Sequence, residues 1–316
     1  MSVNQTSRQL VKRLCEATEE YGVAIKENEL GTTLIDAGVE AKGGFLAGRM
    51  ITEICLGGYG RADIFYKRYN GLELPSILVH TDHPAIATLG SQFAGWRIKV
   101  GKYFAMGSGP ARALAQKPKE LYEKIGYKDK ANSAVLVLET DKYPPNEVIT
   151  YISDECSIQP EKLFLILVPT TTIAGSTQIS GRVVETGIHK LEKLGLDPKW
   201  VTHACGYAPI APVHPRFAEA MGRTNDAILY TGVVHCIVNH TSDETLRMLA
   251  EKAPSSASES HGQPFIEIFK KANYDFYQID SNLFAPAVLI VSNAETGSTF
   301  KGGEINLQIF KRSIGI

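Results

Sequence analysis

One segment decides the fold of this chain: Ala134-Val-Leu-Val-Leu138, then Pro144-Pro-Asn-Glu-Val-Ile-Thr-Tyr-Ile-Ser-Asp-Glu155, then Leu163-Phe-Leu-Ile-Leu-Val168. The two apolar runs have the length of buried strands. The segment between them follows two prolines and has the length of a helix. A strand, a helix and a second strand in this order predict a β-α-β unit, so we expect a mixed α/β (α+β) protein.

Further elements are predicted on both sides of this unit from hydrophobic periodicity and from the positions of glycine and proline. Helices are expected at Ser7–Tyr21, Phe45–Leu56, His83–Ala94, Pro110–Ala115, Lys119–Ile125, Ser176–Leu194, Arg216–Ala220, Glu244–Lys252 and Pro264–Ala272. Strands are expected at Val23–Lys26, Thr33–Ala37, Ala62–Tyr69, Ser76–His80, Ile228–Val238 and Ala287–Ser292.

The length of 316 residues predicts two domains. A polar and charged stretch at Tyr127–Asn132 is the best boundary between them. We therefore expect an N-terminal α/β domain at residues 1–130 and a C-terminal α/β domain at residues 131–316. The last strands of the second domain can return to the first.

Composition argues against several classes of function. The formal net charge is −1 and the sequence has no block of lysine or arginine, which disfavours a nucleic-acid partner. The 5 cysteines are scattered and form no C-x-x-C pair, so we expect reduced thiols and no metal site. The first residues lack the apolar core of a signal peptide, and no apolar run reaches about 18 residues. The sequence therefore predicts a cytoplasmic protein without a membrane span.

A polar stripe on one predicted helix is the strongest candidate for chemistry. Gln178, Arg182, Glu185 and His189 recur at helical spacing within Ser176–Leu194, opposite an apolar arc that can face a core. An arginine and a glutamate three residues apart can hold and polarise a water molecule. They can also form a surface salt bridge worth about 0.3–0.5 kcal/mol, and spacing alone favours that interpretation.

Two further segments carry polar groups in turn-like contexts. In Met106-Gly-Ser-Gly-Pro-Ala-Arg112, amides at a helix start beside Ser108 and Arg112 would suit an anionic group, although the segment is not a Walker loop. Asn225 and Asp226 can hydrogen-bond a heterocycle, or they can cap a helix that begins at Ala227. Most glycine-rich turns are simple connections, which is the competing interpretation for the first segment.

Several long motifs, taken in order, cover essentially the whole chain and resemble one family, the methenyltetrahydromethanopterin cyclohydrolases. They are Thr81-Asp-His-Pro-Ala-Ile-Ala, Leu89-Gly-Ser-Gln-x-Ala-Gly-Trp, Tyr103-Phe-Ala-Met-Gly-Ser-Gly-Pro-Ala-Arg-Ala-Leu, Gly175-Ser-x-Gln-Ile-Ser-Gly-Arg-x-Val-Glu-Thr, Ala220-Met-Gly-x-Thr-Asn-Asp, Pro264-Phe-x-Glu-Ile-Phe and Ala272-Asn-Tyr-Asp-Phe-Tyr-x-Ile-Asp. No single run would be specific, but their number and order make the resemblance so.

The resemblance implies a homotrimeric enzyme of one-carbon metabolism that interconverts methenyl- and formyl-tetrahydromethanopterin by adding water. It implies neither a metal nor a separate cofactor, and a pterin pocket between two α/β domains. Arg182 and Glu185 match the catalytic pair of the family. Gln92, Phe93 and Ala94 match the segment that lines the reacting carbon. Because phenylalanine has no side-chain donor, any polar contact at Phe93 must come from its backbone.

Two other functions are compatible with parts of the sequence. A phosphate- or nucleotide-handling transferase would use Gly107–Arg112, but it would need an acidic metal-binding cluster near that loop, and none is evident. A non-catalytic pterin-binding protein would keep the pocket and lose Arg182 or Glu185, yet both residues are present. The sequence therefore favours the cyclohydrolase.

Overall fold

The computed structural model describes residues 1–275 and 278–316. Phe276 and Tyr277 of the motif that begins at Ala272 therefore lie outside the described residues. The strands are β1 (Ala24–Glu27), β2 (Thr33–Asp36), β3 (Arg61–Tyr69), β4 (Leu72–Thr81), β5 (Trp96–Val100), β6 (Tyr103–Ser108), β7 (Ala134–Glu139), β8 (Leu163–Leu167), β9 (Val201–Pro209), β10 (Val233–Val238), β11 (Val288–Asn293) and β12 (Thr299–Gly303).

Helices of three types connect these strands. The α-helices are α1 (Val3–Glu16), α2 (Thr18–Tyr21), α3 (Phe45–Cys55), α4 (Ala111–Ala115), α5 (Lys119–Ile125), α6 (Asn146–Cys156), α7 (Ile173–Ser180), α8 (Val183–Lys193), α9 (Phe217–Thr231), α10 (Asp243–Lys252), α11 (Phe265–Lys271) and α12 (Leu307–Ile314). A π-helix spans Ala85–Gln92, and 3₁₀ helices lie at Pro160–Lys162, Pro198–Trp200, Ser255–Ala257 and Ser281–Leu283. Among the described residues, no helix is long and apolar enough to cross a membrane.

The chain folds into two compact units, neither of which is continuous in sequence. The first contains Met1–Arg61 and Ala85–Gln178, and the second contains Ala62–Pro84 and Ile179–Ile316. Each unit holds a mixed six-stranded sheet, which confirms the predicted α/β class with two sheet-containing regions. The boundary predicted after residue 130 falls inside the first unit, because β7 pairs with β6 on the other side of it. The early strands β3 and β4, rather than the last strands, belong to the other unit.

The sheet of the first unit is covered on both faces. Its strand order is β1-β2-β8-β7-β6-β5, and β2, β8 and β7 run parallel. Side chains of β7 alternate between two cores: Val135 and Val137 pack with α1 and α3, while Leu136 and Leu138 pack with α4 and α6. This arrangement confirms the predicted β-α-β unit and explains its continuous apolar runs, since both faces of these strands are buried.

The sheet of the second unit has the order β12-β11-β10-β9-β4-β3, with β10 and β11 parallel. Along β9, Ala204 and Gly206 are buried while His203 and Cys205 are exposed. This alternation is the period of a strand with one packed face and one open face. The packed face carries α8, so this unit positions the helix on which the candidate catalytic pair lies.

Two sequence predictions in the second unit are wrong. The strand expected at Ile228–Val238 divides at Gly232: α9 continues to Thr231 and β10 begins at Val233. The alternative in which Asn225 and Asp226 cap a helix that begins at Ala227 is also wrong, because both residues lie inside α9, which begins at Phe217, close to the helix start predicted at Arg216. At Ile228–Val238 a continuous apolar run is shared between a helix end and a buried strand, and a short run of this kind does not distinguish the two.

Candidate active site

Arg182 and Glu185 form a buried ion pair in the second unit. Arg182 Nη1 lies 3.8 Å from Glu185 Oε2, and the two side chains are only 11% and 8% exposed. An exposed pair contributes little, whereas two charges in the interior carry a desolvation cost that a merely structural role rarely offsets. The burial of both side chains therefore argues against the surface salt bridge that spacing alone favoured.

The single helix predicted over Ser176–Leu194 is wrong, because α7 ends at Ser180 and α8 begins at Val183. The Arg182 N–H donates to Ile179 O at 2.9 Å, an i−3 bond that interrupts the α-helical ladder. Arg182 has φ −85° and ψ 1°, the sparsely populated bridge region that active-site residues often occupy. The predicted stripe is therefore divided: Gln178 lies on α7, and Glu185 and His189 lie on α8.

The start of α8 is electrostatically suited to a carboxylate. Arg182 is the N-cap residue and Glu185 lies in the first turn. An i−4 bond runs from the Thr186 N–H to Arg182 O at 2.9 Å, and the N-terminal end of an α-helix carries a partial positive charge. The guanidinium of Arg182 and this helix terminus therefore both place positive charge near Glu185.

Two glycines bring the backbone of α8 close to the sheet. A Cβ atom on Gly187 would lie 3.0 Å from Val234 Cγ1, and one on Gly206 would lie 2.7 Å from Val233 O and 3.1 Å from Val184 Cγ2. Neither position has room for a side chain without a shift of its neighbours. The helix therefore rests directly on β9 and β10, which fixes the position of Glu185 relative to the sheet.

The predicted segment Gln92, Phe93 and Ala94 lies at the end of the π-helix in the first unit. Gln92 is fully buried, while Phe93 and Ala94 are partly exposed. The Phe93 N–H donates to Thr88 O at 2.9 Å, the i−5 bond of a π-helix. The helix expected at His83–Ala94 is thus confirmed, but it is of the wider π type. Helices of this type are rare, and those that occur are often found at functional sites.

Arg112 fastens the end of this π-helix. Its guanidinium is fully buried and donates to Leu89 O at 3.2 Å, to Ser91 O at 3.0 Å and to Lys117 O at 2.8 Å. Ser108 is 2% exposed, with its hydroxyl 3.7 Å from Cys55 Sγ. The helix that follows, α4, has only 5 residues. Because Arg112 binds backbone carbonyls, this loop offers little to a phosphate.

We expect Arg112→Ala to lower the free energy of unfolding by about 2–4 kcal/mol, because buried carbonyls lose charged donors. Urea denaturation measures the change. The exposed Arg13 of the same unit is the matched control, and Arg13→Ala should shift the free energy by no more than about 0.5 kcal/mol. Equal effects of the two substitutions would contradict the anchoring role.

Asn225 and Asp226 lie in the middle of α9 rather than at its start. Asn225 Nδ2 donates to Met221 O at 2.9 Å within the same helix. Asp226 is fully buried, and its two carboxylate oxygens accept from the Phe265 N–H at 2.9 and 3.1 Å. Burial raises the pKa of Asp226 to about 8, against hydrogen bonds from Ser313 and Phe265 that lower it. Asp226 therefore joins α9 to the start of α11.

The raised pKa of Asp226 predicts a pH dependence of stability. Between the ordinary value of 3.8 and about 8, the folded chain holds a proton that the unfolded chain releases, so stability falls as pH rises through this window. Asp226→Asn has no such proton. We expect its free energy of unfolding, relative to wild type, to increase from pH 6 to pH 8 in urea denaturation. Parallel curves for the two proteins would contradict the assignment.

Metal ligands are not assembled in the part of the chain that the structure describes. Across residues 1–275 and 278–316, no group of three or more His, Cys, Asp or Glu side chains is placed to hold a metal ion. The sequence-based expectation that the reaction uses neither a metal nor a separate cofactor stays a prediction.

Comparison with known proteins places these features in a family. The model of a family described as "Cyclohydrolase (MCH)" matches residues 2–314. Proteins named methenyltetrahydromethanopterin cyclohydrolase from Methanocaldococcus jannaschii and Methanothermobacter marburgensis are each 45% identical to this chain, over 100% of it and over 98% and 100% of their own lengths. One of the same name from Methanococcoides burtonii is also 45% identical, over 100% of this chain and 99% of its own. The chain belongs to the methenyltetrahydromethanopterin cyclohydrolase family.

Proposed function

We propose that this chain catalyses the reversible addition of water to methenyl-tetrahydromethanopterin, which gives formyl-tetrahydromethanopterin. Family membership supports the reaction, and one observation supports the site. The 3.8 Å between Arg182 Nη1 and Glu185 Oε2 is too long for a direct hydrogen bond. A single water molecule about 2.8 Å from each atom would bridge the pair, and water is the nucleophile that the reaction needs.

The substrate requires a base more than it requires an electrophilic catalyst. Its methenyl carbon lies between two nitrogens as a delocalised cation and is already electrophilic. Glu185 takes a proton from water as the oxygen attacks, an effect on the order of 10²–10⁴ in rate. Arg182 keeps Glu185 ionised and orients the water. The protonated Glu185 then supplies a proton to the departing nitrogen.

The substrate-binding part of the proposal concerns residues on several of the family motifs. Gln92, Phe93 and Ala94 are proposed to line the reacting carbon, with Phe93 contributing only its ring and its backbone. Ser108, Arg112, Asn225 and Asp226 are proposed to complete the substrate-binding set. Arg112, Asn225 and Asp226 also bond to backbone groups, which holds the segments that carry them in place.

Three further properties belong to the same proposal. The enzyme is a homotrimer, it works in the cytoplasm, and it needs neither a metal nor a separate cofactor. All five cysteines are free thiols, which supports a reducing compartment. Analytical ultracentrifugation tests the trimer, and a sedimentation coefficient of a monomer would contradict it.

The absorbance of the methenyl cation provides the test of function. Purified protein is mixed with the methenyl derivatives of tetrahydromethanopterin and tetrahydrofolate in parallel, with and without a strong chelator. The proposal predicts rapid loss of absorbance with the first substrate, slower loss with the second, and no effect of the chelator. Binding without loss of absorbance would instead support a non-catalytic pterin-binding protein.

A further inference from the structure

The reaction leaves one proton behind in each turnover. A methenyl cation and a water molecule give a neutral formamide, a neutral amine and a proton. One C–O bond forms and one C–N bond breaks, and the departing nitrogen keeps one of the two protons of water. After giving the first proton to that nitrogen, Glu185 takes the other proton from the adduct hydroxyl as the C=O double bond forms, so this general base ends the turnover protonated. Glu185 must therefore release a proton before the next turnover.

The environment of Glu185 makes this release difficult without help. Its side chain is 8% exposed, so exchange with bulk water is restricted. Its four neighbours at i−4, i−3, i+3 and i+4 are Gly181, Arg182, Ile188 and His189. Gly181 and Ile188 carry no titratable proton, and an arginine does not give up its proton in proteins.

His189 is the neighbour whose chemistry fits. Both residues lie within α8, one turn apart, so their Cβ atoms are about 5–6 Å from each other. His189 is partly exposed, whereas Glu185 is buried. Imidazole accepts a proton on one nitrogen and releases one from the other near neutral pH. Lys190 is a poorer candidate, because its ammonium donates to Asn282 O and Oδ1 at 3.3 and 2.7 Å.

We propose that His189 carries the product proton from Glu185 to solvent. The inference rests on the proposed function, since it concerns the same reaction and the same base. His189 acts through Glu185, so it is a relay residue rather than a group that touches the reacting carbon. Arg182, Glu185 and His189 then form a line along one helix face: charge partner, base and proton exit.

The test compares His189→Ala and His189→Gln with wild type in dilute buffer, then adds imidazole in steps. Both variants should show a kcat lowered by about tenfold or more and a nearly unchanged kcat/KM, because the relay acts after the carbon is attacked. Imidazole should restore kcat in a saturable manner, which a purely structural role would not allow. His203→Gln, on the open face of β9, is the control and should behave as wild type.

The outcomes separate this inference from the proposed function. If wild-type protein leaves the methenyl absorbance unchanged, the proposed function is wrong, and the relay is wrong with it. If wild type is active and either variant keeps full kcat in dilute buffer, the relay is wrong and the proposed function stands. A lowered kcat that no concentration of imidazole improves also overturns it. Glutamine retains a polar side chain of similar size, so His189→Gln guards against a loss caused by misfolding of the alanine variant.

Discussion

Replacing Glu185 by Gln is expected to lower kcat by a factor on the order of 10²–10⁴ and to leave substrate affinity within about threefold of wild type. Glutamine has nearly the same shape as glutamate but cannot accept the proton of the attacking water. Loss of methenyl absorbance measures kcat, and calorimetric titration of the slow variant measures affinity. Near-normal turnover in this variant would remove Glu185 as the base.

The chain contains a matched control for this experiment. Arg216 and Glu219 have the same spacing as Arg182 and Glu185 and the same placement, with arginine as the N-cap residue and glutamate in the first turn of α9. Their side chains are 74% and 25% exposed, and they lie 3.3 Å apart. Glu219→Gln should therefore leave kcat unchanged. A similar loss in both variants would indicate a general effect of removing a helix-terminal charge.

The second large effect is expected for Arg182→Lys, which should lower kcat by a factor on the order of 10² although the charge is kept. A lysine ammonium is a point charge, and it cannot copy the planar fork of donors that reaches both a carboxylate and a water molecule. The absorbance assay measures the loss, and Arg216→Lys is its control. A fully active lysine variant would mean that charge alone is sufficient at this position.

The two Arg-x-x-Glu pairs show that residue spacing does not determine which pair is buried. The spacing predicts that arginine and glutamate meet at a helix start in both places, and they do so at Arg182–Glu185 and at Arg216–Glu219. Nothing local to either segment says that only the first pair is buried. Burial depends on packing with distant strands, here on contacts of Gly187 with Val234 and of Gly206 with Val184. The family motifs, rather than the spacing, single out the first pair.

Secondary structure is predictable from the sequence where its signal lies in neighbouring residues. The buried strands β7 and β8 and the helix between them follow directly from their apolar runs. Strand β5 was not predicted although Trp96-Arg-Ile-Lys-Val100 alternates between buried and exposed positions, so its signal was present. The π type of Ala85–Gln92 had no such signal, because its end is held by Arg112 from another part of the chain.

The interleaving of the two units has a consequence for synthesis on the ribosome. Strand β4 pairs with β9, which begins roughly 120 residues after β4 ends, a delay of about 6–24 s at ordinary elongation rates. Until then β3 and β4 form at best a marginal hairpin with an unprotected edge, and such edges invite pairing with other nascent chains. Chaperone dependence and yield should therefore depend on this hairpin, most of all in slowly translating hosts. Slowing elongation would not help, because it lengthens the exposure.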